Sequence, residues 1–215
     1  MWKRRSRAVH PRGILEGLLE RVRGREQMLV QGGQDLPLLL LSFPRGSLPV
    51  AREIEAACTH TLPRLRAETR AAYRRVFASL PTLIVVLLRP SNPCGCLGHH
   101  HPRGTESRLT KRLASDLGSS VAEIDLAYQD IQKWQPQPIS SLAAGELGER
   151  LTSMHFQAAL LAVLLHELEH LALPNNPEQE IRARSNWFYT AAMQELVAEE
   201  SGGDYGMASP PPPRP

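Results

Sequence analysis

The segment that most constrains the fold is residues 152–173, the clearest helix of this 215-residue chain. Its middle stretch, FQAALLAVLL, is almost wholly apolar, which predicts a core helix. Thr152 or Ser153 can cap its start, and Pro174 prevents the helix from continuing. The proline also directs the following segment back over the end of this helix.

The last turns of the helix read HELEH, residues 166–170. His166 and His170 are four residues apart, so they lie about 40° apart around the helix axis and about one turn apart along it. Two imidazoles placed in this way can converge on one ion at roughly 2.1 Å each. Glu167 lies beside them and can take a proton from water that the ion has acidified. The pattern predicts a zinc centre with His166 and His170 as ligands and Glu167 as the catalytic base.

The same five residues match two metal motifs. In H-E-x-x-H the base is Glu167, whereas in the inverted H-x-x-E-H it is Glu169. Enzymes with the inverted motif resemble a much larger architecture with a remote third ligand, but only 45 residues follow His170 here. The forward motif is therefore favoured.

A catalytic zinc needs a third protein ligand, and the next helix is its expected source. That helix is predicted to start with Asn176 and Pro177 and to run to Ser201. Two of its acids lie at the capping end, where acids occur for helix-dipole reasons. Glu195 instead falls on an otherwise apolar stripe, where an acid is costly without a partner such as a metal. The acids of this helix are Glu178, Glu180, Glu195, Glu199 and Glu200.

HELEH followed by ELVAE (residues 195–199), with 24 residues between them, resembles the zincin metallopeptidases of the gluzincin kind. The size and plan look most like the minimal gluzincins and the ImmA/IrrE-type enzymes. The resemblance covers roughly residues 80–202 and implies a zinc-dependent peptidase, expected to be an endopeptidase. It implies that Glu195 is the third zinc ligand and that Glu199 orients a ligating histidine.

The chain departs from the family pattern at three positions. Glu199 stands where an aspartate or asparagine is usual, and Glu169 stands where many such motifs have a small or apolar residue. The stretch RARSNWF (residues 182–188) echoes an E-x-x-A-N-x-F pattern, but Arg182 occupies the glutamate position. On that alignment the third ligand would be missing, so Glu195 is preferred.

The expected fold is α+β and zincin-like, with a short mixed sheet packed on the active-site helix and a mostly helical N-terminal portion. Residues 82–88 (TLIVVLL) and the strand beginning at Val121 are the strand signals. By the same resemblance, the strand 121–128 is the candidate for edge pairing with a substrate backbone. The expected divisions are a basic tail (1–12), a helical region (13–79), the catalytic domain (80–203) and a disordered Pro-rich tail (204–215).

Three weaker signals involve possible ligands or donors. The loop carrying Cys94, Cys96 and the triplet 99–101 (His99, His100 and His101) has five candidate ligands for a second zinc ion, although C-x-C-x2-H-H-H is not an established ligand spacing. Tyr189 and Tyr205 are candidate donors to an oxyanion. His155 lies on nearly the same helix face as His166.

Composition bears on location and partners. The formal net charge is only +3 and no apolar run is long enough to span a bilayer, while the three cysteines cannot form a full disulfide framework. These features predict a cytoplasmic protein without a membrane partner, and the resemblance implies a peptide or protein substrate. The basic residues of 1–12 and 64–75 leave open a DNA-associated or regulatory protein with a zincin-like binding module. A zinc hydrolase of a non-peptide substrate also remains open.

Overall fold

The computed structural model describes residues 25–134 and 146–201, with the backbone alone for 146–149. Outside these ranges lie the two expected tails, 1–12 and 204–215, and residues 13–24 of the expected helical region. Tyr205 lies outside them too.

A mixed sheet of five strands forms the centre of the described fold. Its order is β1-β2-β3-β5-β4; β2, β3 and β5 are parallel, and both edge strands are antiparallel to their neighbours. The strands are β1 (Arg25–Gln31), β2 (Leu38–Pro44), β3 (Leu83–Arg89), β4 (Gly98–His100) and β5 (Val121–Ala127).

Helices connect and cover these strands, so the predicted α+β class is confirmed. The helical segment after β2 begins with α1 (Leu48–Ala56) and continues through a π-helical turn (Ala57–Thr61) and a short helical turn (Leu62–Arg64). The helices are α1 (Leu48–Ala56), α2 (Ala67–Phe77), α3 (Arg108–Leu117), α4 (Tyr128–Lys133), α5 (Glu146–Ala172) and α6 (Glu178–Glu200).

The predicted core helix is α5, and it packs against one face of the sheet and against α6. Most of its side chains between Phe156 and Leu168 are buried, which accounts for the apolar stretch in the sequence. The opposite face of the sheet carries a smaller apolar cluster with Leu113 of α3. Residues 150–172 are long and apolar enough to cross a bilayer, but 61% of the most apolar window is buried inside this fold. A core helix passes the same test.

The expected N-terminal helical region also contains two strands among its described residues, 25–79. Residues 25–44 contain β1 and β2, which belong to the same sheet as the later strands, so the boundary expected at residue 80 does not separate two folding units. The run LLLLSFP in β2 is buried because β1 and β3 flank it on both sides. Within the expected helical region, residues 48–77 are helical apart from a break at Leu65 and Arg66.

Two further boundaries differ from the sequence-based expectation. Helix α5 starts at Glu146, so neither Thr152 nor Ser153 caps it. The strand expected at 121–128 is β5, but it lies between β3 and β4 and is not an edge strand. The edge is β4, a strand of three residues inside the loop that the sequence showed only as dense in Pro, Gly and His.

Candidate metal centre

Helices α5 and α6 form an antiparallel pair joined by a tight turn. The break after Ala172 comes just before Pro174, and α6 begins at Glu178 after Pro177. Because the connection is short, the last turn of α5 and the first turn of α6 lie side by side. The two histidines of the motif and the first acid of α6 therefore meet at one end of the pair.

Three side chains converge at this end. The Nε2 atoms of His166 and His170 are 3.2 Å apart. One carboxylate oxygen of Glu178 is 3.0 Å from His170 Nε2, and the other is 3.6 Å from His166 Nε2. These three residues form a group that can hold a metal ion.

The separations fit the ligand set of a zinc ion. Ligand atoms of a tetrahedral zinc, each about 2.0–2.1 Å from the ion, lie about 3.4 Å from one another. Each measured separation is within a few tenths of an ångström of this value. Two imidazoles and one carboxylate are also a donor set found in catalytic zinc sites, which keep a fourth position open.

The surroundings of His166 favour the form that binds a metal. Its Nδ1 lies 3.4 Å from the hydroxyl of Ser185, which itself donates to the carbonyl of Arg182 at 3.1 Å. A proton on Nδ1 leaves the lone pair of Nε2 facing the cluster. Burial lowers the pKa of His166 below its ordinary value, despite the nearby carboxylates of Glu167 and Glu178. The neutral imidazole is thereby favoured.

Glu178 is half-exposed, and its charge is held by its neighbours. Burial alone would raise its pKa, but His166 and a hydrogen bond from Arg182 bring the pKa below the ordinary value of a glutamate. Arg182 donates to Glu178 Oε1 at 3.1 Å from one turn further along α6. Arg182 is therefore a hydrogen-bond partner of the acid that lies beside the two histidines.

The predicted third ligand, Glu195, is wrong. It lies 17 residues beyond Glu178 on the same helix, which is about 25 Å of helical rise. Its carboxylate accepts hydrogen bonds from Arg66 N at 2.7 Å and Thr69 Oγ1 at 2.6 Å. Arg66 is the N-cap residue of α2, and its own side chain makes no capping hydrogen bond to the helix. Glu195 is an acid on a packed helix face because it caps a neighbouring helix, not because it binds a metal.

Glu199 is likewise not beside a ligating histidine. Its carboxylate is exposed and forms an ion pair with Arg64 at 2.5 Å, near the same end of α6 as Glu195. The residue placed to orient a ligand is Ser185. Sequence reasoning missed both Glu178 and Ser185. The available signal was the tight turn, since residues equally distant from such a turn lie side by side in an antiparallel helix pair.

We expect Glu195→Ala to lower the free energy of unfolding by about 1–2 kcal/mol, because α2 loses the acceptor at its N-terminus. Glu199→Ala is the matched control from the same turn, and it removes only an exposed ion pair worth at most about 1 kcal/mol. Urea unfolding measures both. Equal, small effects of the two substitutions would contradict the capping role.

Glu167 lies in the floor of a cavity of about 580 Å³ that His166 and Glu178 also line. Its side chain is buried, with Oε2 3.4 Å from His100 Nδ1. It packs directly on β4, where a Cβ at Gly98 would come within 2.5 Å of Oε1. Glycine at residue 98 leaves the space that this carboxylate occupies.

Glu169, the acid of the inverted motif, points away from this cavity into the contact between α5 and α6. It is 1% exposed, and Arg184 Nε lies 2.9 and 2.8 Å from its two oxygens. A carboxylate engaged in this way is not free to act as a base. The arrangement favours the forward motif, with Glu167 beside the residues that could hold a metal ion.

The three consecutive histidines of the loop have different partners, although the rings of His99 and His101 are in contact, with centroids 5.2 Å apart. His99 lies near Cys94 and Cys96, as the expected second zinc site requires, although these cysteines form a disulfide in this structure. His100 stacks on the ring of His170, with centroids 4.7 Å apart. His101 faces two acids of β5. The five candidate ligands of the loop therefore do not form one cluster.

His155 and Tyr189 belong to a buried packing contact. His155 Nε2 lies 2.7 Å from the carbonyl oxygen of Trp134, and Nδ1 lies 2.8 Å from the hydroxyl of Tyr189. Burial raises the pKa of Tyr189 to about 12, so its hydroxyl stays protonated and donates to the imidazole. Neither residue is among those lining the cavity beside Glu167.

Comparison with known proteins adds no assignment: no protein family model, no curated protein and no solved structure matches this chain.

Proposed function

We propose that this protein is a zinc-dependent peptidase in which His166, His170 and Glu178 hold the ion and Glu167 is the general base. The observation that carries the proposal is the convergence of these three side chains beside a buried carboxylate. The two Nε2 atoms are 3.2 Å apart, and the two oxygens of Glu178 lie 3.0 Å from His170 Nε2 and 3.6 Å from His166 Nε2, respectively. A zinc ion held there lowers the pKa of a water molecule and polarises a carbonyl group.

The residues of the chain supply the remaining parts of a hydrolytic site. Glu167 takes a proton from the water molecule that attacks the peptide carbonyl and returns it to the leaving amine. Ser185 holds the tautomer of His166, and Arg182 holds the carboxylate of Glu178. The wall of the cavity opposite these residues is Leu97 and Gly98 of the edge-strand segment.

Strand β4 is the better candidate for binding the backbone of a substrate. Among the described residues it pairs only with β5, so its other edge has free backbone groups. An extended peptide added to that edge runs past Glu167, because Gly98 lies directly against this side chain. The role expected for the strand 121–128 passes to its neighbour.

The alternative of a DNA-associated module gains little support from the described residues. Arg64 pairs with Glu199, and both Arg70 and Arg74 pair with Asp35. Three of the five arginines of the 64–75 segment are thus paired within the fold, and two of these three share one carboxylate.

The test is hydrolysis of a mixed-sequence peptide library by the full chain, followed by mass spectrometry of the products. We expect cleavage with zinc, loss of cleavage after chelation, and recovery when zinc is returned. His166→Ala should be inactive, whereas His60→Ala, which removes an exposed histidine, should keep activity. Cleavage that persists in His166→Ala or after chelation would contradict the proposal.

A further inference from the structure

A second group of metal-binding side chains lies on the face of the sheet that carries Leu113, away from α5. Glu123 and Asp125 are alternate residues of β5 and so share this face. Both are buried, at 0% and 5% exposure. His101, which follows β4, is held beside them by a backbone hydrogen bond from His101 N to Glu123 O at 3.0 Å.

Two of the atoms that face one another in this group lack hydrogen bonds. His101 Nε2 lies 3.4 Å from Asp125 Oδ1 and 3.6 Å from Glu123 Oε1. His101 Nε2 and Asp125 Oδ1 are both fully buried, and neither has a hydrogen-bond partner. Buried polar atoms without partners are costly, so this arrangement calls for a bound group between them.

Among the described residues, Asp125 has a cationic hydrogen-bond donor and Glu123 has none. Glu123 accepts from Ser107 N, Ser107 Oγ and Thr110 Oγ1, which are all neutral donors. Asp125 accepts from Arg89 Nε at 2.6 Å through its second oxygen. Arg89 therefore pairs with one of the two buried carboxylates, and Arg25 lies close enough to Asp125 to interact with it electrostatically.

We propose that His101, Glu123 and Asp125 bind a second divalent transition-metal ion, for which zinc is the probe. Separations of 3.4 and 3.6 Å from one imidazole nitrogen to two carboxylate oxygens match the spacing of about 3.4 Å between ligands of a tetrahedral zinc. His101 also lines an open cavity of about 740 Å³, which gives an ion a route of entry.

This site is distinct from the proposed catalytic centre and does not depend on it. It joins the residue after β4 to β5, so a bound ion fastens the edge strand that carries Gly98 and His100 beside Glu167. Its role is structural. The expected consequence of losing the ion is a less stable attachment of β4.

The test counts zinc in the full chain. The protein is stripped with a chelator, reloaded with zinc without reductant and desalted, and its metal content is measured by mass spectrometry. We expect about two ions per chain in the wild type, about one in His166→Ala or in Asp125→Asn, and close to none in the double variant. Arg89→Met removes the ion pair of Asp125 without removing a ligand, and Cys94→Ser disables the cysteine loop. Both should keep the wild-type content.

Wild-type zinc content in a folded Asp125→Asn variant would overturn the second site, as would loss of an ion in Cys94→Ser alone. If Asp125→Asn does not fold, as judged by circular dichroism, His101→Gln takes its place, and wild-type zinc content in that variant would overturn the second site. Failure of the catalytic centre would show separately, as unchanged zinc content in His166→Ala.

Discussion

Glu167→Gln is expected to lower kcat/KM for peptide hydrolysis by about 10²–10⁴-fold, the usual contribution of a general base. Glutamine keeps the shape of the side chain against Gly98 but cannot accept the proton. Zinc content should be unchanged, because Glu167 is not among the three converging ligands. Steady-state kinetics and metal analysis of the same preparation measure the two effects.

The matched control is Glu180→Gln, which changes an exposed acid in the first turn of α6. We expect it to keep both activity and zinc. Loss of zinc in Glu167→Gln would show that this residue is a ligand. Full activity in Glu167→Gln would remove it from the chemistry, even if the metal centre itself is correct.

The second large effect is expected in stability. Glu169→Ala should lower the free energy of unfolding by about 3–5 kcal/mol, because it leaves the buried guanidinium of Arg184 without its main partner. The two side chains are 1% and 6% exposed, and the pair lies between α5 and α6 near the metal ligands. Urea unfolding of the metal-free protein measures the effect apart from zinc binding.

The control for Glu169→Ala is Glu180→Ala, since Glu180 also approaches Arg184, at 3.5 Å, but from the exposed side. That change should cost at most about 1 kcal/mol. The double variant Glu169→Leu and Arg184→Leu should recover much of the loss, because an apolar pair replaces two buried charges. A small effect of Glu169→Ala in the metal-free protein would show that the pair is not a major tie between the helices.

The sequence was sufficient for the elements with strong local signals. The apolar stretch before His166 predicted a core helix, and the β-branched run after Pro81 predicted β3. The spacing of His166 and His170 predicted their convergence, because four residues make about one helical turn. The Nε2 separation of 3.2 Å agrees with that expectation.

The third ligand could not be chosen from the sequence, because two acids had competing local explanations. Glu178 was explained as a helix-dipole residue, and Glu195 as an acid that required a metal on an apolar face. In the structure these roles are reversed. Glu195 accepts hydrogen bonds at the N-terminus of α2, which is distant in sequence. Glu178 lies beside the histidines across a tight turn. Long-range contacts of this kind have no local pattern.

Strand β4 was hidden for a related reason. Three residues, Gly98 to His100, are too few for an alternating pattern, and they are surrounded by residues typical of loops. Pairing with β5 makes them a strand, and that pairing separates the three consecutive histidines into different surroundings. The role of His101 beside Glu123 and Asp125 therefore depends on the fold.

The most direct measurement of the central claim is the zinc dissociation constant of Glu178→Ala beside that of Glu195→Ala, each obtained by competition with a chelator. These substitutions remove the same side chain from the two ends of one helix. We predict that Glu178→Ala weakens zinc binding at this centre by more than about 100-fold, since loss of a partner outside the ligand set already lowers metal affinity by about 10–100-fold. Glu195→Ala should leave the constant unchanged. Wild-type affinity in Glu178→Ala together with weakened binding in Glu195→Ala would contradict the account.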